Sequence, residues 1–285
     1  MNPLHPSLIW LLLAAPTGVM ANGFRLVSQD AHAAARGEAY AATADNPSAV
    51  HYNPAGISQL DGLQVRIGAY GLHFEPTFTP PDDRANAGET YDIEENDALA
   101  PQLYASYAIP DCPLTLGLGV YAPHGASVTW PQDTGFRTVA IDGELTYLRI
   151  NPVASLEIRP GLSIAAGVMI DDASLSSGQG LWEDEAIFRN SFVFEGDALN
   201  CGYNFGILWQ ISEQWSVGAT YRSKNRLDFD GETLLEYEPF VGGLTKNSAK
   251  MDLEFPHTAV FGVSYRPNRC WNIEFNADYT NWGTI

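Results

Sequence analysis

Beyond its N-terminal segment the sequence has no run of about 18 consecutive apolar residues, which excludes a transmembrane helix there. Basic residues are also scarce. The 285 residues include 15 Lys and Arg against 34 Asp and Glu, a formal net charge of -19. Nucleic acid is excluded as a partner, because binding phosphates requires a basic face. The same charge would repel an anionic ligand unless basic residues cluster locally.

Signatures of catalysis are missing as well. The sequence contains no Gly-x-Ser-x-Gly elbow, no His-Glu-x-x-His motif and no P-loop, and its six histidines are scattered. Residues 228–232 faintly resemble the start of a calcium loop but lack the remaining ligand spacing, so a solvated loop is the simpler interpretation. We therefore expect no enzyme, no cofactor and no metal site.

Cysteine is rare, with only Cys112, Cys201 and Cys270 spread along the chain. Their spacing fits no metal site. Two of them could pair in an oxidising compartment. Because Cys112 and Cys270 fall in or beside short turns, we favour the interpretation that all three are incidental.

The first 21 residues are typical of a signal peptide. Residues 8–15 form an apolar core, and Val19-Met20-Ala21 resembles a cleavage site, although no Lys or Arg precedes the core. An uncleaved anchor is the alternative, but the core is too short to span a bilayer. We expect export and cleavage after Ala21.

Residues 22–61 differ from everything that follows, because they are rich in Ala and Gly. Two Asn-Pro steps, at Asn46 and Asn53, each favour a turn. We predict a compact hatch that plugs the structure formed by residues 62–285. Asn53 is expected to fix a turn through its side chain and Pro54 to rigidify it. Gly56 is expected to supply a backbone conformation that a residue with Cβ resists.

After residue 62 large apolar residues alternate with small or polar ones. Around Trp215 the odd positions are apolar, and Ser, Gly, Thr and Arg stand between them. This period of two is typical of β-strands. We predict that the apolar positions face lipid and the polar ones face a lumen. Representatives facing lipid are Trp209, Tyr221, Phe261 and Phe275, and those facing the lumen are Asn204, Thr220, Ser264 and Asn276.

Nine such strands can be counted, each long enough to cross a bilayer when tilted. Tight turns follow the second, fourth, sixth and eighth strands. Long polar loops, residues 79–97, 176–196 and 230–248, follow the first, fifth and seventh, and a shorter one follows the third. Short turns on one side and long loops on the other predict an all-β, transmembrane antiparallel β-barrel with its short turns in the periplasm. The strands lie at about residues 62–78, 98–109, 114–128, 137–158, 162–174, 197–211, 215–229, 249–266 and 270–282.

An odd number of strands does not fit a single-chain bacterial barrel, whose strand number is even. An open edge within lipid leaves backbone groups unsatisfied. We therefore expect a C-terminally truncated sequence, with closure by oligomerisation as the weaker alternative.

Several motifs resemble those of the bacterial outer-membrane long-chain fatty-acid transporters, a family that includes importers of aromatic hydrocarbons. The resemblance covers the whole mature chain. It implies a fourteen-stranded barrel, about nine strands of which are present here, with an N-terminal helical hatch in the lumen. The motifs are Gly23-Phe24, Gly37-Glu38-Ala39-Tyr40-Ala41, Ala44-Asp45-Asn46, Asn53-Pro54-Ala55-Gly56, Tyr221-Arg222-Ser223 and Tyr279-Thr280-Asn281-Trp282.

In this family the third strand is kinked inward and opens a lateral gap through which apolar substrate leaves. The third strand here carries Tyr121, Pro123, His124 and Gly125. Proline removes a ladder hydrogen bond and fits a kink. The alternative is that the strand simply ends at Ala122.

The resemblance also suggests a ligand pocket, with Phe24 and Ser174 as candidate residues. In the fatty-acid members a basic residue late in the fifth strand holds the carboxylate. Ser174 occupies that position here, and Asp171-Asp172 precede it. Since a carboxylate ligand favours Arg or Lys, neutral hydrocarbons become the favoured substrates.

The function expected from the resemblance is passive transport of hydrophobic molecules across the outer membrane of a Gram-negative cell. The expected partners are the hydrophobic ligand, outer-membrane lipid, lipopolysaccharide and the barrel-insertion machinery, with a monomer at full length. Alternatives are a general diffusion porin, a structural or adhesive barrel, and an outer-membrane enzyme. Polar inward faces favour a porin, whereas a plug that blocks water disfavours it.

Overall fold

The structure, a computed structural model, describes residues 25–81, 87–94, 97–182, 190–237 and 243–281. The predicted signal peptide, Gly23 and Phe24 lie outside these ranges. Within them, short helical segments come first and antiparallel strands follow. No helix in the described part of the chain is long and apolar enough to cross a membrane.

The helical segments are α1 (Ala31–Ala35), α2 (Ala49–Tyr52) and a 3-10 helix (Pro54–Gln59). The side chain of Asp30 caps α1 by accepting hydrogen bonds from the backbone amides of His32 and Ala33. The side chain of Asn53 likewise accepts from the amide of Ala55, so it fixes the turn as expected.

Fourteen strands are described, and nine of them form the path β1-β4-β5-β7-β8-β9-β10-β13-β14, which agrees with the nine predicted wall strands. Off this path, β6 pairs with β7, β11 pairs with β9 and β12, and β2 and β3 form a separate small sheet. The strands are β1 (Leu63–His73), β2 (Thr77–Phe78), β3 (Tyr91–Asp92), β4 (Asp97–Ala108), β5 (Leu114–Tyr121), β6 (Ala126–Thr129), β7 (Asp142–Arg159), β8 (Leu162–Gly180), β9 (Asn190–Gln210), β10 (Trp215–Arg222), β11 (Asn225–Tyr237), β12 (Gly243–Phe255), β13 (Thr258–Asn268) and β14 (Trp271–Thr280).

The strands on the long-loop side extend further than predicted. Residues 176–196 were expected to be a loop, yet β8 continues to Gly180 and β9 already begins at Asn190. Most of the expected loop 230–248 likewise belongs to β11 and β12. Backbone pairing with neighbouring strands extends these segments although their residues are polar.

Burial follows the predicted alternation. Asn204 and Ser264 are fully buried on the inward face, whereas Phe261 and Phe275 are 52% and 67% exposed on the outward face. The side chain of Asn276 also points inward, where its amide donates to the backbone of Glu38. The assignment of the two faces is therefore confirmed.

The N-terminal segment, residues 25–60, is called the hatch segment below, and it packs against the inward face of the strands. Its buried core includes Tyr40, Val50 and Ile57, which cluster with Tyr104 and Tyr121 of the wall. Side chains of β14 hold it as well. The carboxylate of Glu274 accepts hydrogen bonds from the amide of Ala42 (2.8 Å), the hydroxyl of Thr43 (2.6 Å) and the guanidinium of Arg36 (2.8 Å).

Glycines in the wall allow the hatch backbone to approach closely. A Cβ on Gly218 of β10 would collide with the carbonyl of Ala41. Gly56 was expected to supply a backbone conformation that a residue with Cβ resists, but its φ is not positive, so that prediction is wrong. Glycine is required there for close packing, because a Cβ would collide with the carbonyl of Ala44.

Three wall strands are interrupted. The breaks lie between β5 and β6, between β10 and β11, and between β12 and β13. Two of the interruptions contain a proline, Pro123 and Pro256, which lacks the amide hydrogen that a ladder requires. All three interruptions contribute residues to one small cavity in the lumen.

Candidate functional site

The cavity has a volume of about 50 Å³ and lies where the hatch segment meets the three interruptions. Its size suits a small polar group and not a whole hydrophobic molecule. Its lining includes Arg25, His51, His124, Arg149, Arg222 and Phe255.

Arg149 of β7 is buried beside the cavity in a closed polar network. Its guanidinium contacts the carboxylate of Asp171 through two hydrogen bonds, Nε to Oδ1 (2.5 Å) and Nη2 to Oδ2 (2.9 Å). The amide of Asn225 donates to the same carboxylate and to the hydroxyl of Tyr147. A bidentate pair of this kind neutralises Arg149 and fixes its orientation.

Arg222, at the end of β10, is less completely paired. It is 9% exposed, and its Nη2 donates to the backbone carbonyl of His51. Its Nε is buried and has no hydrogen-bond partner among the described residues. Within the same ranges, no carboxylate lies at ion-pairing distance from it. A buried guanidinium with free hydrogen-bonding capacity favours an anionic ligand.

The charges around the cavity do not balance. Arg25 lies 3.7 Å from the carboxylate of Asp278 and Arg149 pairs with Asp171, so Arg222 keeps one uncompensated positive charge. His51 adds none, because burial, assisted by the nearby Arg222, lowers its pKa well below the usual value. This basic spot lies inside a protein whose net charge is -19.

On the long-loop side of the cavity the inward face is apolar. The side chains there form one buried cluster, called the apolar cluster below: Leu145, Tyr147, Ala173, Phe194, Ala198, Leu227, Phe229 and Phe255, with Leu175, Ala249 and Leu253 packed against it. His124 of the β5–β6 bend stacks on Phe255 and also contacts the ring of Tyr147. Apolar walls therefore lead to a small cationic cavity.

The candidate kink residues Pro123, His124 and Gly125 lie in the interruption between β5 and β6, which is called the β5–β6 bend here. β5 pairs with β4 as far as Tyr121 opposite Gln102, and beyond the bend β6 pairs with β7. The strand line thus resumes at Ala126 and does not end at Ala122. Tyr121 is fully buried, and His124 forms an isolated bridge with Arg25 of the hatch segment.

The hatch segment also bridges the two sides of this bend. The side-chain amide of Gln102 on β4 donates to the carbonyl of Ser28 (2.7 Å), and the side-chain amide of Gln29 donates to the carbonyl of Ala122 (2.8 Å). The amide of Leu26 donates to the carbonyl of Pro123 (3.0 Å). Hatch residues therefore take up hydrogen-bonding groups that strand pairing would otherwise use.

The described part of the predicted hatch motif lies in the hatch core. Asn53, Pro54, Ala55 and Gly56 are all buried. The amide of Asn53 donates to the carbonyls of Ala41 (2.7 Å) and, on β9, Ile207 (3.0 Å), which joins the hatch to the wall. The other motif residues, Gly23 and Phe24, lie outside the described residues, and so does the candidate pocket role of Phe24.

Ser174 does not line the cavity. It is exposed on the outward face of β8, where its hydroxyl donates to the carboxylate of Asp197 (2.7 Å). Asp171, three positions earlier, points inward and pairs with Arg149. A shift of one residue moves a side chain to the opposite face of a strand, so alignment over a distant family is too imprecise to assign the face.

Arg149, Asp171 and Arg222 were not assigned to the site from the sequence. Such residues can be recognised in a sequence as charged residues at the inward-facing positions of an alternating strand. Arg222, which follows the lipid-facing position of Tyr221, is an example. Cys112, Cys201 and Cys270 are all free and exposed, in agreement with the incidental interpretation.

Known proteins share this architecture. The family model described as outer membrane protein transport protein (OMPP1/FadL/TodX) matches residues 12–285. The chain belongs to this family. It is therefore an outer-membrane protein, and the resemblance inferred from the motifs is confirmed.

Two curated relatives are similar to part of the chain. A putative outer membrane protein NMB0088 of Neisseria meningitidis serogroup B is 27% identical over 241 residues, which cover 74% of this chain and 51% of the relative. A long-chain fatty acid transport protein of Escherichia coli O6:H1 is 23% identical over 182 residues, 59% of this chain and 38% of the relative. The matched region thus spans about half or less of these relatives.

Solved structures show the same fold. A Pseudomonas aeruginosa FadL homologue superposes with a TM-score of 0.73 at 17% identity, over 92% of this chain and 70% of the homologue. The P. putida toluene transporter TodX gives a TM-score of 0.67 at 17% identity, over 84% and 66% of the two chains. The antiparallel wall seen here is the wall of that fold.

Proposed function

We propose that this protein mediates passive passage of hydrophobic molecules across the outer membrane, with the hatch segment closing the lumen and release occurring sideways into the membrane. The observation that carries the proposal is the apolar cluster on the inward face. A water-filled porin has a polar interior. Here Phe194, Leu227 and Phe229 are buried inward, which supports a route for apolar molecules.

The ligand that best suits the cavity has one anionic head group. Arg222 retains an uncompensated charge and a free Nε, and the cavity of about 50 Å³ accommodates a carboxylate. The hydrophobic tail would lie against the apolar cluster beyond His124. This arrangement favours long-chain fatty acids over neutral hydrocarbons, opposite to the preference drawn from Ser174. A relative from Escherichia coli carries the name long-chain fatty acid transport protein.

Sideways release at the β5–β6 bend is part of the proposal. Beyond Tyr121 the outer end of β4 remains paired with β1, whereas β6 pairs with β7. In the present conformation the hydrogen bonds of Gln29 and Gln102 hold the hatch segment against the bend and keep the wall closed there. Release would require the hatch residues 25–29 to move away from the bend.

The experiment uses the purified full chain in proteoliposomes. We expect saturable binding of cis-parinarate, a fluorescent long-chain carboxylate, and no swelling of the vesicles with sugars. Arg222→Gln should weaken cis-parinarate binding by about 10- to 100-fold, because hydrogen bonds to charged groups contribute about 1.5–3 kcal/mol. Binding of the methyl ester should change little.

Arg226→Gln is the matched control, because Arg226 is exposed outside the cavity. It should leave both ligands unaffected, and Arg222→Lys should retain part of the carboxylate affinity. Vesicles that swell with sugars and show no saturable ligand binding would favour the general porin. Equal losses for acid and ester in Arg222→Gln would refute the head-group role of Arg222.

A further inference from the structure

A second irregularity in the wall lies between β9 and its two successive partners, β10 and β11. β10 pairs with β9 as far as Arg222 opposite Asn204. Pairing with β11 resumes only at Asp230 opposite Asp197, in a register that differs by one residue. Residues 198–203 and 223–229 therefore face each other without a regular ladder.

One backbone hydrogen bond continues into this stretch, from the amide of Ser223 to the carbonyl of Tyr203 (2.9 Å), and side chains supply further partners. The backbone amide of Tyr203 donates to the hydroxyl of Ser223 (2.9 Å). The side-chain amide of Asn200 donates to the carbonyl of Arg226. Bulges of this kind are concentrated beside functional sites.

The inward positions also change parity here. Thr220 and Arg222 of β10 point inward at even numbers, whereas Leu227 and Phe229 of β11 point inward at odd numbers. The chain therefore contains one residue more than a regular strand would at Ser223 and Lys224. A change of parity reorients every side chain that follows.

The neighbouring strand is interrupted at the same level. Arg222 pairs with Thr258 and Asn225 pairs with Phe255, so the break in β10–β11 lies opposite Pro256 and His257. The β11–β12 ribbon is therefore joined to β10 and β13 by two facing breaks. Its other attachment is the outer part of β9. Two aligned breaks provide a hinge about which the ribbon can tilt as a unit.

The irregular stretch lies between the cavity and the outward face. Arg222, Ser223 and Asn225 line the cavity on its inner side. On the outer side, Leu199 is 73% exposed and the ring of Tyr203 contacts that of Tyr221. In a membrane, backbone without regular pairing is tolerated where it borders a cavity.

We infer that the wall has a second lateral opening, between β9 and β11, controlled by tilting of the β11–β12 ribbon. It is separate from the opening at the β5–β6 bend, and it would pass the same class of hydrophobic ligand. The inference rests on the proposed function. Both openings border one cavity, so ligand held there would have two exits.

Cys201 provides the means of testing this opening. It is free and exposed on the outward face of β9, next to Asn200, which contacts Arg226. With Cys112 and Cys270 replaced by Ser, Arg226→Cys would allow a cross-link between Cys201 and position 226. We expect the locked protein to lose about half of its rate of cis-parinarate transfer into the vesicle membrane, since one of two exits is closed, and reductant to restore it.

A matched control places the cross-link across the regular ladder, with Ile207→Cys and Ala219→Cys in a Cys201→Ser background. These positions are register partners, so that lock should not change transfer.

The outcomes separate the two ideas. If the protein transfers no ligand even when unlocked, the proposed function fails. If the unlocked protein transfers ligand while the verified Cys201 lock leaves the rate unchanged, the second opening is refuted and the bend is sufficient.

Discussion

His124 of the β5–β6 bend stacks on Phe255 at the end of β12, with their ring centroids 4.2 Å apart and their planes inclined by 28°. The two residues come from separate parts of the wall and meet inside it. Tyr147 of β7 contacts both rings. Both residues line the cavity and Phe255 also belongs to the apolar cluster, so on the proposed route a ligand would pass their contact.

Shortening one partner should widen this passage. We expect Phe255→Ala to speed cis-parinarate transfer and to lower the free energy of unfolding by about 3–5 kcal/mol, as for other buried aromatic truncations. Stopped-flow fluorescence and denaturant unfolding measure the two effects. Phe275→Ala, on the outward face, is the control and should not change transfer. Slower transfer in Phe255→Ala would contradict a narrowing role.

Gln29 should hold the hatch segment against the bend. Its side-chain amide donates to the carbonyls of Leu26 (3.0 Å) and Ala122 (2.8 Å). Gln29→Leu keeps much of the bulk but removes both donors, so we expect the hatch residues near the bend to exchange amide hydrogens faster. Each lost bond should contribute about 1 kcal/mol. Gln64→Leu, which removes a solvent-exposed hydrogen bond to the carbonyl of Asp61, is the control, and unchanged exchange in Gln29→Leu would argue against a latch.

The alternation of side chains gives a stability prediction for the wall. Phe261 is exposed on the outward face, and Phe261→Arg should lower the free energy of unfolding by about 2–4 kcal/mol near the middle of the membrane. Asn272 points inward and borders an open groove between α1 and the β13–β14 turn. Asn272→Arg should therefore be tolerated much better. Equal losses in urea titrations of the refolded protein would mean that the faces are assigned wrongly.

Ser264 shows what alternation alone misses. It points inward as predicted, but it is fully buried, with its hydroxyl donating to Asn272 (2.5 Å). Facing alone would allow an arginine at this position only if the lumen beside it were open. The hatch segment fills that space, so the substitution Ser264→Arg would be as disruptive as one in a soluble core.

Local patterns therefore predict the strands, their facing and the turn at Asn53, because each depends on residues close in sequence. The site depends on distant pairings. Arg149 meets Asp171 because β7 and β8 pair in one particular register. The positive charge of Arg222 remains uncompensated because no acidic side chain lies at ion-pairing distance from it in the described structure. The break at Ser223 contains no proline or glycine that would indicate in the sequence that the strand is interrupted there. Such features follow from the assembled wall and not from a segment of sequence.

The hatch segment is expected to block the lumen. It is packed by Tyr40, Val50 and Ile57, and a Cβ on Gly218 would collide with the carbonyl of Ala41, so its fit to the wall leaves little space for water. Deleting residues 23–56 should leave the protein in the membrane while raising its single-channel conductance in planar bilayers, and should reduce saturable binding of cis-parinarate. Gly218→Val is a milder version that should raise conductance by displacing the hatch, and Gly71→Val, where a Cβ meets nothing, is its control. If conductance stays unchanged on deletion, the lumen is closed by something other than the hatch, and the proposed route through it loses its main support.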